Sequence, residues 1–245
     1  MENFLIASAL AEGETAAPEP TWLQTVFAKF GEISLTTWIA LIVILLLGLG
    51  LWAVIRQKNK WTARMLAYAA LSVALSFVLS YIRLWKMPQG GSITPGSMLP
   101  LLLFAYTFGA GPGILAGAVY GILQFIQDSW MLNIWQFLLD YPIAFGMMGV
   151  AGLFRGRSKT ASLQLGIQIK VDWMLLTGIA IASVGRFVAS TLSGVVFFAE
   201  YAPEGVPPLL YSIGYNGTYM LPELIICLVI ALLAGPQLLR AVRGK

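Results

Sequence analysis

The residue that most clearly could take part in chemistry or binding is an aspartate within strongly apolar sequence. Asn133, Gln136 and Asp140 fall at i, i+3 and i+7, which places them on one face of a helix. A carboxylate at membrane depth costs about 2.5–3.5 kcal/mol on insertion scales, so it is retained where it serves a function. The spacing predicts a polar, negatively charged stripe that faces a ligand or a partner group.

A second polar group lies on the sixth apolar segment. Arg186 falls near the middle of that segment, and Ser190 follows one helical turn later. Because an unpaired cation at this depth would be costly, we expect Arg186 to form an internal ion pair with Asp140 or Glu223. This structural role is favoured over direct contact with a ligand.

Tyrosines on the last apolar segment lead to a further carboxylate. Tyr211, Tyr215, Tyr219 and Glu223 recur at four-residue steps, with Asn216 beside them. A tyrosine stripe is often an interfacial belt, but this one continues inward to an acid. Aromatic faces attract a cation by about 0.5–2 kcal/mol each, and a carboxylate supplies the matching charge. The pattern is therefore typical of a pocket for an organic cation.

The composition excludes several kinds of catalytic site. The chain has no histidine and one cysteine, Cys227. It therefore cannot form a Ser-His-Asp triad, a Cys-His pair, a His-ligated metal site or an internal disulfide. No segment has the spacing of a phosphate-binding loop, so an ATP-driven step would need another subunit. We expect neither enzymatic activity nor a metal or cofactor.

Membrane-spanning helices have to position these residues. Of the 245 residues, 58% are hydrophobic and 11% are charged, and the mean hydropathy is +0.80. This composition is far outside that of soluble globular proteins. Seven apolar stretches are each about long enough to cross ~30 Å of hydrocarbon. They are residues 36–55, 65–82, 97–110, 113–128, 132–154, 171–199 and 208–234. The sequence thus predicts an all-α, polytopic membrane protein.

The distribution of positive charge predicts the orientation of the chain. Lysines and arginines cluster in residues 56–64, 155–170 and 240–245. An odd number of spans places all three clusters on one side, which the positive-inside rule assigns to the cytoplasm. The N-terminus and the loops 83–96, 127–131 and 200–207 then lie outside. Since membrane topology explains the net charge of +4, we expect lipid, and no nucleic acid, as a partner.

Two stripes of small residues have two possible explanations. Gly113, Gly117 and Gly121 repeat at four-residue steps, and the second predicted helix carries an alanine stripe that includes Ala70 and Ala74. Such stripes allow close helix approach. They serve either packing within this protein or docking of a partner subunit.

Several motifs resemble those of a known transporter family. They begin in the predicted first outer loop and agree in order and spacing from about residue 64 to the end of the chain. The matching stretches are residues 85–100, 120–125, 138–146, 193–198, 201–203, 211–216 and 222–223. With them the chain resembles the thiamine-specific substrate-binding component of energy-coupling factor vitamin transporters.

The resemblance implies a six-helix substrate-binding domain, residues 61–245, that captures thiamine from outside. It also implies a transmembrane coupling subunit and two cytoplasmic ATPases as partners. By resemblance, Trp85 covers the ligand, Asp140 pairs with the aminopyrimidine, and Ala70 and Ala74 dock the coupling subunit. Further ligand contacts implied in this way are Trp130, Tyr141, Ser190, Phe198, Tyr211 and Asn216.

Two features depart from the family pattern. The pocket histidine of the family aligns with Ser190, which can form hydrogen bonds but is never cationic. Residues 1–60 form an extension with a predicted surface helix and an additional transmembrane helix. A different function class also fits the intramembrane carboxylates, namely a stand-alone, proton-coupled transporter of thiamine or a related organic cation.

Overall fold

The computed structural model describes residue 42 and residues 61–157, 159–164 and 168–243. They belong to a compact unit that covers residues 40–245. The predicted surface helix and the additional transmembrane helix of residues 1–60 lie outside the described residues, apart from Ile42. The boundary predicted between residues 60 and 61 stays a prediction.

Six helices make up the described unit, and they follow the predicted apolar segments 65–82 to 208–234. They are α1 (Ala63–Ser80), α2 (Leu99–Phe108), α3 (Ala110–Gln127), α4 (Ile134–Phe154), α5 (Trp173–Phe197) and α6 (Pro208–Arg243). Within the described ranges, all of these except the short α2 are long and apolar enough to cross a membrane. The chain is therefore a helical, multi-pass membrane protein.

Short polar side chains fix the starts of three helices. Thr62 accepts a hydrogen bond from the Met65 amide at the start of α1, and Asn133 does the same for α4. Asp172 caps α5 by accepting from the amides of Met174 and Leu175. Such caps satisfy amide groups that have no partner within their own helix.

Helix α4 changes its hydrogen-bonding pattern in the middle. It is α-helical over Ile134–Leu138, π-helical over Leu139–Ile143 and 3-10 helical over Met147–Phe154. Pro142 has no amide hydrogen to donate, and the Ala144 amide donates to the carbonyl of Leu139, five residues earlier. This local widening contains Asp140, and π-helical turns are frequent at functional sites.

The glycine stripe of α3 packs within the chain. A Cβ atom on Gly117 would collide with the backbone of Phe145 and Gly146, and one on Gly121 would collide with the backbone of Tyr141. These glycines let α3 approach α4 at backbone distance. Of the two explanations that the sequence allowed for this stripe, the structure therefore selects internal packing.

Two antiparallel hairpins interrupt the helical order at opposite ends of the bundle. Strands β1 (Trp85–Lys86) and β2 (Ser92–Ile93) pair between α1 and α2. Strands β3 (Thr160–Gln164) and β4 (Gln168–Asp172) pair between α4 and α5. The β1–β2 hairpin marks what we call the cavity end of the bundle, and the β3–β4 hairpin marks the basic end.

Candidate substrate-binding site

A cavity of about 260 Å³ opens at the cavity end of the bundle. The β1–β2 hairpin and the adjoining ends of α1, α3, α4, α5 and α6 enclose it. The structure brings seven of the predicted ligand contacts together in its lining: Trp130, Asp140, Tyr141, Ser190, Phe198, Tyr211 and Asn216. These residues come from four separate segments of the sequence.

Trp85 does not line this cavity, which differs from the expectation that it covers the ligand. Its side chain is 64% exposed. Trp85 pairs with Ile93, whereas its neighbour Lys86 pairs with Ser92. Since successive side chains of a strand point to opposite faces, Lys86 and Ser92 face the cavity and Trp85 faces away from it.

The wall of the cavity carries Asp140 on the π-helical turn of α4. The Gln136 amide donates to Asp140 Oδ2 at 2.6 Å. Among the described residues, no lysine or arginine lies within salt-bridge distance of Asp140; the recorded ion pairs involve other acids. A charge at this position therefore has a hydrogen bond but, in the part of the chain that the structure describes, no cation within salt-bridge distance. Asn133 caps the helix and does not extend the polar face that the spacing predicted.

Aromatic groups surround Asp140. Tyr141 donates to the carbonyl of Asp128 at 3.1 Å and accepts from the Trp130 amide at 3.2 Å, which holds the α3–α4 loop over the wall. The Trp130 indole nitrogen is buried without a hydrogen-bond partner in the described part of the chain. This donor, together with the ring of Phe198 across the cavity, is available to a bound ligand.

A buried ion pair forms the floor of the cavity. Arg186 Nη1 lies 3.5 Å from Glu223 Oε2, and the two side chains are 10% and 3% exposed. The guanidinium also stacks over the Phe145 ring, 4.5 Å from its centroid. Thr94 and Ser97 donate to Glu223 Oε1. The structure thus pairs Arg186 with Glu223 and not with Asp140, the other acid that the sequence allowed.

The tyrosines of α6 hold the hairpin that covers the cavity. Tyr215 accepts from the Gln89 amide at 2.8 Å and donates to the Gly90 carbonyl at 3.0 Å. Tyr211 donates to the Gln89 side chain at 3.0 Å. Gly91 packs so closely on the Tyr219 ring that a Cβ atom there would collide with it. The four-residue spacing of the tyrosines revealed the stripe, but not that it supports the hairpin.

The mouth of the cavity holds charges that sequence reasoning missed. Asp128 Oδ2 lies 3.0 Å from Arg83 Nη1 and 2.8 Å from Lys86 Nζ. Burial opposes ionisation of Asp128, but the hydrogen bond and charge of Lys86 and the charge of Arg83 outweigh it and lower the pKa of Asp128. No sequence signal connects these residues, because the cations and the acid lie about forty positions apart and meet only through packing of α1 on α3.

Two further features complete the description of the site. Ala70 and Ala74, the predicted docking residues, are exposed on the outer face of α1 and lie away from the cavity.

Within the described ranges, no three Cys, Asp or Glu side chains converge as metal ligands. The arrangement is suited to binding a small cation by charge, hydrogen bonds and aromatic contact.

Comparison with known proteins identifies the family. The model of a family described as thiamine transporter protein (Thia_YuaJ) matches residues 66–242, which include every residue that lines the cavity. The chain belongs to the thiamine transporter protein family. Its membership agrees with the resemblance that the sequence motifs indicated.

Individual members of this family align over most of the chain. The thiamine transporter ThiT of Bacillus subtilis (strain 168) is 32% identical over 191 residues, which cover 76% of this chain and 98% of that protein. ThiT of Lacticaseibacillus paracasei is 30% identical over 187 residues, with coverages of 72% and 90%. The structure of ThiT from Listeria monocytogenes has the same fold, with a TM-score of 0.59, 23% identity, and coverage of 71% of this chain and 96% of that one.

Proposed function

We propose that this chain captures thiamine at the outer face of the plasma membrane. The single observation that carries the proposal is Asp140, a carboxylate on an aromatic cavity wall that forms no salt bridge with any lysine or arginine among the described residues. Thiamine carries a permanently cationic thiazolium ring and an aminopyrimidine that can donate hydrogen bonds. Both features complement this wall, and the membership in the thiamine transporter family supports the same ligand.

In the proposed complex, the aminopyrimidine donates to Asp140 and the thiazolium lies against the aromatic rings. Trp130, Tyr141 and Phe198 supply these rings. Polar groups of Ser190, Tyr211 and Asn216 accept or donate further hydrogen bonds. Of these, Asn216 is already oriented, because its side-chain nitrogen donates to the Ser212 carbonyl at 3.0 Å and its oxygen accepts from Tyr219 at 2.8 Å.

We further propose that the chain acts as the substrate-binding subunit of an ATP-driven importer. A ligand that stabilises the closed state cannot by itself also cause release, so inward release needs work from a partner. The face of α1 that carries Ala70 and Ala74 offers a smooth, exposed surface for a transmembrane coupling subunit, which in turn would bind two cytoplasmic ATPases.

Thiamine binding by the purified protein tests the first proposal. We expect saturable quenching of tryptophan fluorescence at micromolar thiamine or below. Asp140→Asn should raise the dissociation constant at least about thirtyfold, because a charge-assisted hydrogen bond contributes about 1.5–3 kcal/mol and charge attraction to the cation is lost as well. Glu200→Gln, at an exposed acid beyond the end of α5, is the matched control and should bind like the wild type. Unsaturable quenching, or equal affinity in Asp140→Asn, would contradict the proposal.

Uptake by proteoliposomes separates the importer from a stand-alone, proton-coupled transporter. The second function is considered because two buried or partly buried acids, Asp140 and Glu223, lie along one cavity. We expect no accumulation of labelled thiamine by vesicles that contain this chain alone, with or without an imposed pH gradient. Uptake should require the coupling subunit, the ATPases and ATP. Gradient-driven accumulation by the chain alone would favour the second function without affecting the binding result.

A further inference from the structure

Gln136 lies next to the proposed ligand contact, although the sequence placed it only on the same polar face as Asp140 and the family match assigns it no role. Its side chain is 1% exposed, at the start of α4. The side-chain nitrogen donates to Asp140 Oδ2 at 2.6 Å and to the Trp130 carbonyl at 3.3 Å. The side-chain oxygen accepts from the Leu132 amide at 3.0 Å.

Hydrogen bonds hold both the backbone and the side chain of Gln136 in place. Asn133 caps α4 and accepts from the Gln136 amide nitrogen at 2.9 Å. Both hydrogens of the side-chain amide are used, and its oxygen has a partner as well. Rotation of this amide by half a turn would place its oxygen against the Asp140 carboxylate, so the arrangement has one stable orientation.

This orientation determines how Asp140 can bind a ligand. Gln136 donates to Oδ2, so Oδ1 is the oxygen that remains for a ligand and for the nearby Ser193 hydroxyl. The other polar groups near this carboxylate are the Ser193 hydroxyl from α5, the hydroxyls of Tyr141 and Tyr219 and, beyond salt-bridge distance, the Arg186 guanidinium. Since the amide only donates here, it favours Asp140 as an acceptor, and an acceptor accommodates an amino group but repels a carbonyl oxygen.

We infer that Gln136 is a positioning residue that makes Asp140 selective for a ligand with an amino group over the same ligand with a carbonyl. Through its bond to the Trp130 carbonyl, Gln136 also fixes the distance between the acid and the aromatic ring above it. The inference rests on the proposed binding of thiamine and specifies how the pyrimidine end is recognised. A site that hydrogen-bonds one polar group rejects the analogue that lacks it because a buried polar group is left unpaired.

The ratio of two dissociation constants tests the inference. Thiamine is compared with oxythiamine, in which a carbonyl oxygen replaces the amino group of the pyrimidine, by calorimetry on the purified full-length protein. We expect the dissociation constant of the wild type for thiamine to be at least about tenfold lower than that for oxythiamine, because one charge-assisted hydrogen bond contributes about that factor to affinity. Gln136→Met keeps the length of the side chain but removes its donor, and should reduce this preference to less than about threefold. Gln127→Met, the same change at a glutamine that contacts Ser80 and Gln124 and does not line the cavity, should keep the wild-type ratio.

A second variant keeps the test decisive if Gln136→Met folds poorly. Gln136→Glu has the same shape and still accepts from the Leu132 amide, but two carboxyl groups 2.6 Å apart share one proton, so Asp140 can then donate as well as accept. This variant too should lose most of the preference for thiamine. If both variants bind the two ligands equally more weakly, so that the ratio of dissociation constants is unchanged, Gln136 has only a structural role and the inference is overturned. Absence of thiamine binding by the wild type would instead overturn the proposed function.

Discussion

At the scale of single residues, two acids of the cavity differ because they have different partners. Glu223 has a cation, Arg186, and two hydroxyl donors, and it is almost fully buried. Asp140 has an amide donor and borders the cavity. The ion pair therefore neutralises the floor, while the wall keeps a charge that an incoming cation can match. Recognition would depend on this division, since a second unpaired acid would leave the pocket doubly negative.

Removal of one partner of the floor ion pair should destabilise the protein. Arg186→Met leaves Glu223 buried without a cation, and Glu223→Gln leaves the guanidinium unpaired. Each single change should reduce the free energy of unfolding by about 3–5 kcal/mol, since breaking a buried pair leaves an uncompensated charge.

The double variant Arg186→Met with Glu223→Gln leaves no charge and should recover a substantial part of that loss. Thermal unfolding of the detergent-solubilised protein, followed by circular dichroism, measures all four forms. Single variants as stable as the wild type, or a double variant with the sum of both losses, would contradict this account.

At the scale of elements, the close approach of α3 to α4 sets the position of the site. Gly121 lies directly against the backbone of Tyr141, the residue after Asp140, within the π-helical turn. The position of the Asp140 carboxylate therefore depends on a small residue at position 121 of α3. The hairpin depends on α6 in a similar way, because hydroxyls of Tyr211 and Tyr215 hold its turn.

Gly121→Ala should lower both stability and thiamine affinity. The added methyl group would overlap the carbonyl of Tyr141, so α4 has to move away and carry Asp140 with it. Overpacking of this kind costs about 1–3 kcal/mol. Gly214→Ala on α6 provides the matched control, because a Cβ atom there meets nothing within 4 Å. In a helix this control change should be neutral or stabilising by up to about 1 kcal/mol. Thermal unfolding and thiamine titration of both variants check the prediction, which fails if they behave alike.

At the scale of the whole molecule, the two ends of the bundle differ in charge and in the hairpin that each carries. The basic end carries Arg155, whose guanidinium donates to the Phe108 carbonyl at 2.8 Å, and Arg64, which donates to the Val242 carbonyl at 2.9 Å. These bonds join helix ends that are distant in sequence and satisfy carbonyl groups there. The positive-inside rule predicts that this end lies in the cytoplasm and that the cavity opens to the outside.

Labelling of single cysteines in intact cells checks this orientation. Glu204→Cys, in the exposed α5–α6 connection at the cavity end, should react with a membrane-impermeant maleimide. Ser162→Cys, exposed on β3 at the basic end, should react only after permeabilisation. The wild type is the control and should stay unlabelled, because Cys227 is buried. The opposite pattern would show that the cavity faces the cytoplasm.

The sequence by itself determined the helices, because apolar length and helical spacing are local properties of a chain. The segment predicted at 65–82 corresponds to Ala63–Ser80, and the boundary predicted between the segments 97–110 and 113–128 corresponds to the break at Gly109 between α2 and α3. The repeat of Tyr211, Tyr215 and Tyr219 likewise placed them on one face of α6. The family motifs in the sequence also predicted several residues that line the same cavity.

Only the tertiary structure decided which groups meet. It paired Arg186 with Glu223, joined Asp128 to the cations of the hairpin, and turned Trp85 away from the cavity. These outcomes depend on how helices distant in sequence pack, on the alternation of a two-residue strand, and on a π-helical turn at Asp140 that shifts the side chains after it. Periodicity in the sequence cannot specify them, because each depends on distances between segments and not on spacing within one.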